Sequence, residues 1–114
     1  MKINIQSPHF TLNSTLNKYV ISKVSKLAVF NERILKCDVY LKLDKSDTDL
    51  NKVCEIKVSA PEKNLFATAR ALTFEEAVNT TVNAIEKQIR KRKTKREGDN
   101  DILEMHEPAS ANED

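Results

Sequence analysis

Residues 64–95 read NLFATARALTFEEAVNTTVNAIEKQIRKRKTK, and the hydrophobic period changes inside them. Leu65, Ala67, Ala69 and Ala71 occupy alternate positions, the period of a strand with one covered face. From Ala77 the apolar spacing becomes three and four, through Val78, Thr81, Val82, Ile85 and Ile89, which is one face of a helix. Between them lies T-F-E-E, Thr73 to Glu76, a capping box. In it the Thr73 hydroxyl can accept from the backbone N–H three residues on, while Glu76 reaches back. The stretch therefore predicts a strand over 64–71 and a helix over 74–95. The small alanines of the strand leave room for a helix to approach closely. After Ile89 the helix carries almost no apolar residue, so its last two turns should project past the sheet as a cationic rod.

Working upstream, residues 52–60 alternate, with Cys54, Ile56, Val58 and Ala60 inward, and 61–63 form a turn. Residues 34–43 alternate as well, with Leu35, Cys37, Val39, Leu41 and Leu43 on one face and Ile34, Lys36, Asp38, Tyr40 and Lys42 on the other. Residues 44–51, DKSDTDLN, are turn formers and predict a hairpin loop. A helix starts at Asn13 or Ser14, either of which can cap it. Its stripe is Leu16, Tyr19, Val20, Val24, Leu27 and, near the end, Phe30. Residues 1–6 alternate as a first strand. The predicted fold is α+β with order β-α-β-β-β-α: a four-stranded mixed sheet with two helices packed on one face.

A chain of 114 residues is one domain's worth. Its charge is divided. Residues 1–96 carry all 19 Lys and Arg against 10 acids, a net of +9, whereas 97–114 carry seven acids and no Lys or Arg. This predicts a folded basic domain over 1–96 and an acidic, disordered C-terminal tail over 97–114. Seven of the 19 cations fall within 87–96. Such density makes a site of positive potential and points to a polyanionic partner. No apolar run approaches the roughly 18 residues of a membrane span, and the alternating start predicts no leader, so a cytoplasmic protein without membrane contact is expected. The one glycine, Gly98, excludes Gly-rich phosphate loops.

Catalysis is not expected. His9 and His106 are far apart in sequence, no Cys-His pair is suggested, and no metal-ligand cluster or cofactor motif is visible. If Leu43 pairs near Lys52, Cys54 faces Leu41 and lies roughly 13 Å along the sheet from Cys37 at 3.3 Å per residue. A disulfide needs Cα atoms within about 7 Å, so two buried free thiols are expected. Lys18, Lys23 and Lys26 on the first helix add a second basic rim to Lys87, Arg90 and Lys91 on the last. Tyr40 is the aromatic expected on the open sheet face.

The residues M-K-I-N-I (Met1 to Ile5), Y-V-I-S-K-V-S-K-L (Tyr19 to Leu27) and V-Y-L-K-L (Val39 to Leu43) carry a resemblance. It is completed by F-A-T-A-R-A-L-T-F-E-E-A-V-N (Phe66 to Asn79) running into A-I-E-K-Q-I-R-K-R-K (Ala84 to Lys93). In order and spacing, residues 1–96 resemble the short form of the hibernation-promoting factor and protein Y family of ribosome-associated inhibitors, also called sigma-54 modulation proteins. Glu75 and Asn79 depart from it, since the family often has Tyr and Asp there. The resemblance implies binding to small-subunit rRNA in the mRNA and tRNA channel, at the A and P sites. Bound there, such a protein inhibits translation in stationary phase or starvation by excluding tRNA and mRNA. It implies rRNA contacts by Lys18, Lys23 and Lys26, by Lys87, Arg90, Lys91, Lys93 and Lys95, and less strongly by Arg33 and Lys36. The acidic tail looks like that of members favouring inactive single ribosomes over ribosome dimers.

Two other classes stand beside this reading. A double-stranded RNA-binding module shares an α-β-β-β-α core, but its basic second-helix motif and Gly-Pro-x-His loop are not in this sequence. A protein-interaction module would instead bind an acidic partner, and competition by bulk RNA separates the two.

Overall fold

Asn13 and Thr73 set the two main helix starts. In the computed structural model, which describes residues 1–45 and 49–97 and their side chains as far as Lys91, Asn13 Oδ1 accepts from the Leu16 N–H at 2.8 Å. The helix it caps, α1, spans Ser14–Ser25. Thr73 Oγ1 accepts from the Glu76 N–H at 3.1 Å and opens the last helix, Phe74–Glu97. Each side chain satisfies one of the N–H groups that a helix start leaves unpaired, which is why Asn and Thr suit these positions.

The strands are β1 (Lys2–Gln6), β2 (Lys36–Leu43), β3 (Lys52–Ser59) and β4 (Leu65–Ala71). They form one sheet in the order β1-β2-β3-β4. β1 pairs with β2 in parallel, and the two later pairs are antiparallel, so the sheet is mixed as expected. The element order is that read from the hydrophobic periods, with one refinement.

The first helix is not continuous. It breaks at Lys26, whose N–H turns to the Lys23 carbonyl three residues back at 3.3 Å. A four-residue helix, α2, Leu27–Phe30, follows. The last helix is therefore α3. The break keeps Leu27 buried and carries Phe30 to α3.

Burial follows the alternation closely. Cys37, Val39 and Leu41 of β2 and Cys54, Ile56 and Val58 of β3 face the helices. Ala67 and Ala71 of β4 lie under α3, which packs across β3 and β4. From α3, Ala77, Val78, Val82, Ile85 and Ile89 close the core from above. Among the described residues Thr81 is the one buried polar side chain. Its hydroxyl lies 2.7 Å from the Ala77 carbonyl and 3.3 Å from the Cys54 carbonyl, so its single proton ties α3 to β3 at no unsatisfied cost.

The entry to β2 corrects the sequence reading. Leu35 was expected on the core face and Ile34 on the other, yet Ile34 is 3% and Leu35 62% exposed. Alternation starts only at Lys36. Ile34 still belongs to the turn leaving α2, where its N–H bonds the Asn31 carbonyl at 3.4 Å, and that turn folds its side chain inward. Residues 98–114, the bulk of the expected acidic tail, lie outside the described residues.

The register places Leu41 opposite Cys54 and Val58 opposite Cys37, and both cysteines are free and buried. Burial pushes the Cys54 thiol up to about 12, and burial with the nearby Asp38 carboxylate pushes Cys37 up to about 11. Thiolate, the reactive form, is therefore scarce in the folded protein at neutral pH and becomes available only as pH rises towards those values. An aromatic disulfide reagent at pH 8 should titrate neither thiol in the native protein and both in denaturant. Prompt reaction of either thiol in the native state would contradict the packing described.

Candidate nucleic-acid interface

α1 and α3 pack against each other on the covered face of the sheet, which puts their cations on neighbouring elements. Lys18 and Lys26 are exposed and Lys23 is half-buried, its Nζ 5.6 Å from the centre of the Tyr19 ring. On α3, Lys87, Arg90 and Lys91 are exposed. Lys93 and Lys95 stand on the same helix, but their side chains lie outside the described residues.

Positions four apart on a helix share a row. Asn79, Asn83, Lys87 and Lys91 make one such row on α3, and Val82, Glu86 and Arg90 make the next. Facing them across a groove are Lys23, Lys26, Val29 and Phe30, while Asn79, Val82, Asn83 and Glu86 form the α3 wall. The groove has a volume of about 300 Å³. Arg90 touches two of its walls. Its guanidinium lies 5.0 Å from the Phe30 ring centre and 2.9 Å from the Glu86 carboxylate. The one acid of the groove is thus neutralised from its own helix, and the surface stays cationic.

The remaining two candidates do not join this cluster. Arg33 pairs with Glu62 at 3.0 Å, in the turn between β3 and β4. Lys36 pairs with Asp38 at 3.5 Å and, one position before the inward Cys37, belongs to the open sheet face.

That open face carries its own feature. Tyr40 is flanked by Lys42 and Lys57, at 5.8 and 5.7 Å from its ring centre, and Lys42 also pairs with Glu55 at 3.2 Å. Phe66, directly across from Lys57, is 48% exposed. Sequence reading identified Tyr40 there and missed Phe66, although the alternation Leu65, Ala67 inward already put Phe66 outward. It also missed Asn79 and Asn83, whose four-residue spacing was the available signal. No group of three or more His, Cys, Asp or Glu among the described residues is placed to hold a metal.

A face with exposed cations on two packed helices can bind a phosphate backbone without reading its sequence. At the end of β2–β3, Arg70 and Asp44 form a separate pair whose guanidinium holds the Asp44 carboxyl below its ordinary value, and it takes no part in this face.

The architecture has solved counterparts. A ribosomal subunit interface protein from Coxiella burnetii superposes with a TM-score of 0.74 at 18% identity, covering 82% of this chain and 99% of that one. The N-terminal domain of Thermus thermophilus Protein Y superposes with a TM-score of 0.70 at 19% identity, covering 81% of this chain and 99% of that one. No curated protein sequence matches the chain. The profile of one family matches residues 3–97, which hold every strand and helix described above apart from Lys2 at the start of β1, and both walls of the groove. The chain belongs to the Sigma 54 modulation protein / S30EA ribosomal protein family.

Proposed function

We propose that this protein is a ribosome hibernation factor. It binds small-subunit rRNA in the channel of mRNA and tRNA, in the A and P site region, and inhibits translation by excluding both. The observation that carries the reading is a groove with Lys23 and Lys26 on one side and, on the other, an α3 wall whose helical rows continue to the exposed Lys87, Arg90 and Lys91. Family membership supports the ribosome as the source of the RNA. The mechanism is steric: cationic helices hold the body on rRNA phosphates, and the body fills space that tRNA and mRNA need. Lys18, Lys93 and Lys95 extend the contact along the two helices. Arg33, beside Glu62 in the β3–β4 turn, and Lys36, on the open sheet face, stand away from the groove and are peripheral. Among the described residues no helix is long and apolar enough to cross a membrane, and the reading places the protein in the cytoplasm with ribosomes.

The test is co-sedimentation with purified small subunits at increasing salt. Displacing counterions from phosphates makes binding fall steeply with ionic strength, so the bound fraction should collapse between about 50 and 200 mM salt. An mRNA and tRNA pre-loaded on the subunit should reduce it further. Binding insensitive to salt would replace the rRNA reading with an apolar protein surface. Equal affinity for any bulk RNA duplex would replace it with a general double-stranded RNA-binding module.

A further inference from the structure

Asn79 and Asn83 are poorly suited to the middle of a helix, because their side chains compete for backbone groups. Thr81, between them, is explained by its two carbonyl contacts. Among the described residues neither asparagine amide has a hydrogen-bond partner, and both line the groove, Asn83 at its exposed edge. Asn79 is half-buried there. The groove floor is apolar at Val82 and Phe30, its opposite rim holds Lys23 and Lys26, and its acid is neutralised by Arg90.

We propose that this groove receives the base of a single unpaired RNA nucleotide. The proposal rests on the rRNA reading above and names what that face recognises. A volume of about 300 Å³ sits at the low end of small-molecule sites, enough for one nucleoside and too small for a duplex strand. An asparagine amide offers a donor and an acceptor together, the pairing that fits an adenine edge. Two amides, an apolar floor and two ammonium groups match the base, sugar and phosphate of one nucleotide. The row continues from Asn83 to Lys87 and Lys91, so a backbone following α3 delivers the base to the groove and keeps its next phosphates on cations. Splayed, unstacked bases are what RNA-binding proteins read most specifically, so an otherwise phosphate-driven face gains a preference for a bulge or loop.

The experiment uses the full-length chain and two RNA hairpins that differ only by one unpaired adenosine. The parent protein should bind the bulged hairpin roughly tenfold to hundredfold more tightly, in line with one good amide–base pair. In amide NMR spectra the Asn79 and Asn83 side-chain signals should shift with the bulged hairpin and stay in place with the paired one. The double variant Asn79→Ala, Asn83→Ala, placed on a helix that alanine favours, should bind both hairpins alike, with the salt slope of the parent retained. Equal affinity of the parent for both hairpins, with unmoved asparagine signals, overturns the groove proposal and leaves the rRNA reading standing. Binding to neither hairpin nor small subunits overturns the rRNA reading itself. Adenosine monophosphate alone, shifting the same signals at micromolar concentration with no bulge preference, overturns the RNA proposal in favour of a mononucleotide site.

Discussion

The triple change Lys87→Gln, Arg90→Gln, Lys91→Gln is expected to weaken small-subunit binding roughly hundredfold and relieve inhibition of translation. Each exposed cation that meets a phosphate is worth about 1 kcal/mol or more after discounting for solvent, and 1.4 kcal/mol is tenfold. The slope of log affinity against log salt should flatten by about 2 to 3 units, since each phosphate contact contributes about one. Stability should barely move, because exposed substitutions usually stay within about ±0.5 kcal/mol each. Arg90 also loses its contacts to the half-buried Glu86 and Phe30, whose own packing the change leaves in place. The charge-matched control is Lys42→Gln, Lys57→Gln, Arg70→Gln on the open sheet face. If the control loses as much binding as the α3 triple, net charge rather than the helix pair governs recognition. A folded α3 triple that still inhibits like the parent removes α3 from the site.

Different parts of this structure were legible in the sequence to different degrees, for physical reasons. The strands could be read because one face of the sheet is covered: a one-residue slip would bury Lys57 and expose Ile56, so the alternation fixes the register. That is why Leu41 faces Cys54 as the hairpin arithmetic required. The capped starts at Asn13 and Thr73 are equally local, since each bond spans three residues. Ile34 and Leu35 were misassigned because a turn, not the pleat, sets their orientation, and alternation carries no information until the ladder starts. The break at Lys26 is also invisible locally, because Leu16 to Leu27 keep helical spacing on both sides of it.

The candidate site divides in the same way. The cations of α1 and α3 were visible because charge density and helical rows are properties of single elements. The groove is a property of two elements. Phe30 serves Arg90 only because the Lys26 break brings α2 against α3. Asn79 and Asn83 form a groove wall only because Lys23 and Lys26 stand across from them. Arg33 and Lys36, the weaker candidates from the sequence, lie away from the groove, beside Glu62 and Asp38.

Ile85→Ala should cost about 2 to 5 kcal/mol of folding stability. Ile85 is fully buried on the face of α3 that packs over β3 and β4. Truncation removes transfer free energy and leaves a cavity, because Ala67 and Ala71 below are too small to fill it. The better helix propensity of alanine returns only about 0.4 kcal/mol. Against a total of roughly 5 to 15 kcal/mol, the loss is a large fraction, and it should lower the melting midpoint by roughly 10 to 30 °C for a domain of this size. Val29→Ala, at a residue 80% exposed, should change stability by no more than about 0.5 kcal/mol. Below its lowered midpoint, Ile85→Ala should still bind small subunits with the parent's salt slope, since Lys87, Arg90 and Lys91 lie on the exposed side of the same helix. A melting curve shifted by only a degree or two would mean that α3 does not close the core over the sheet, and the rows that build the cationic face would have to be redrawn.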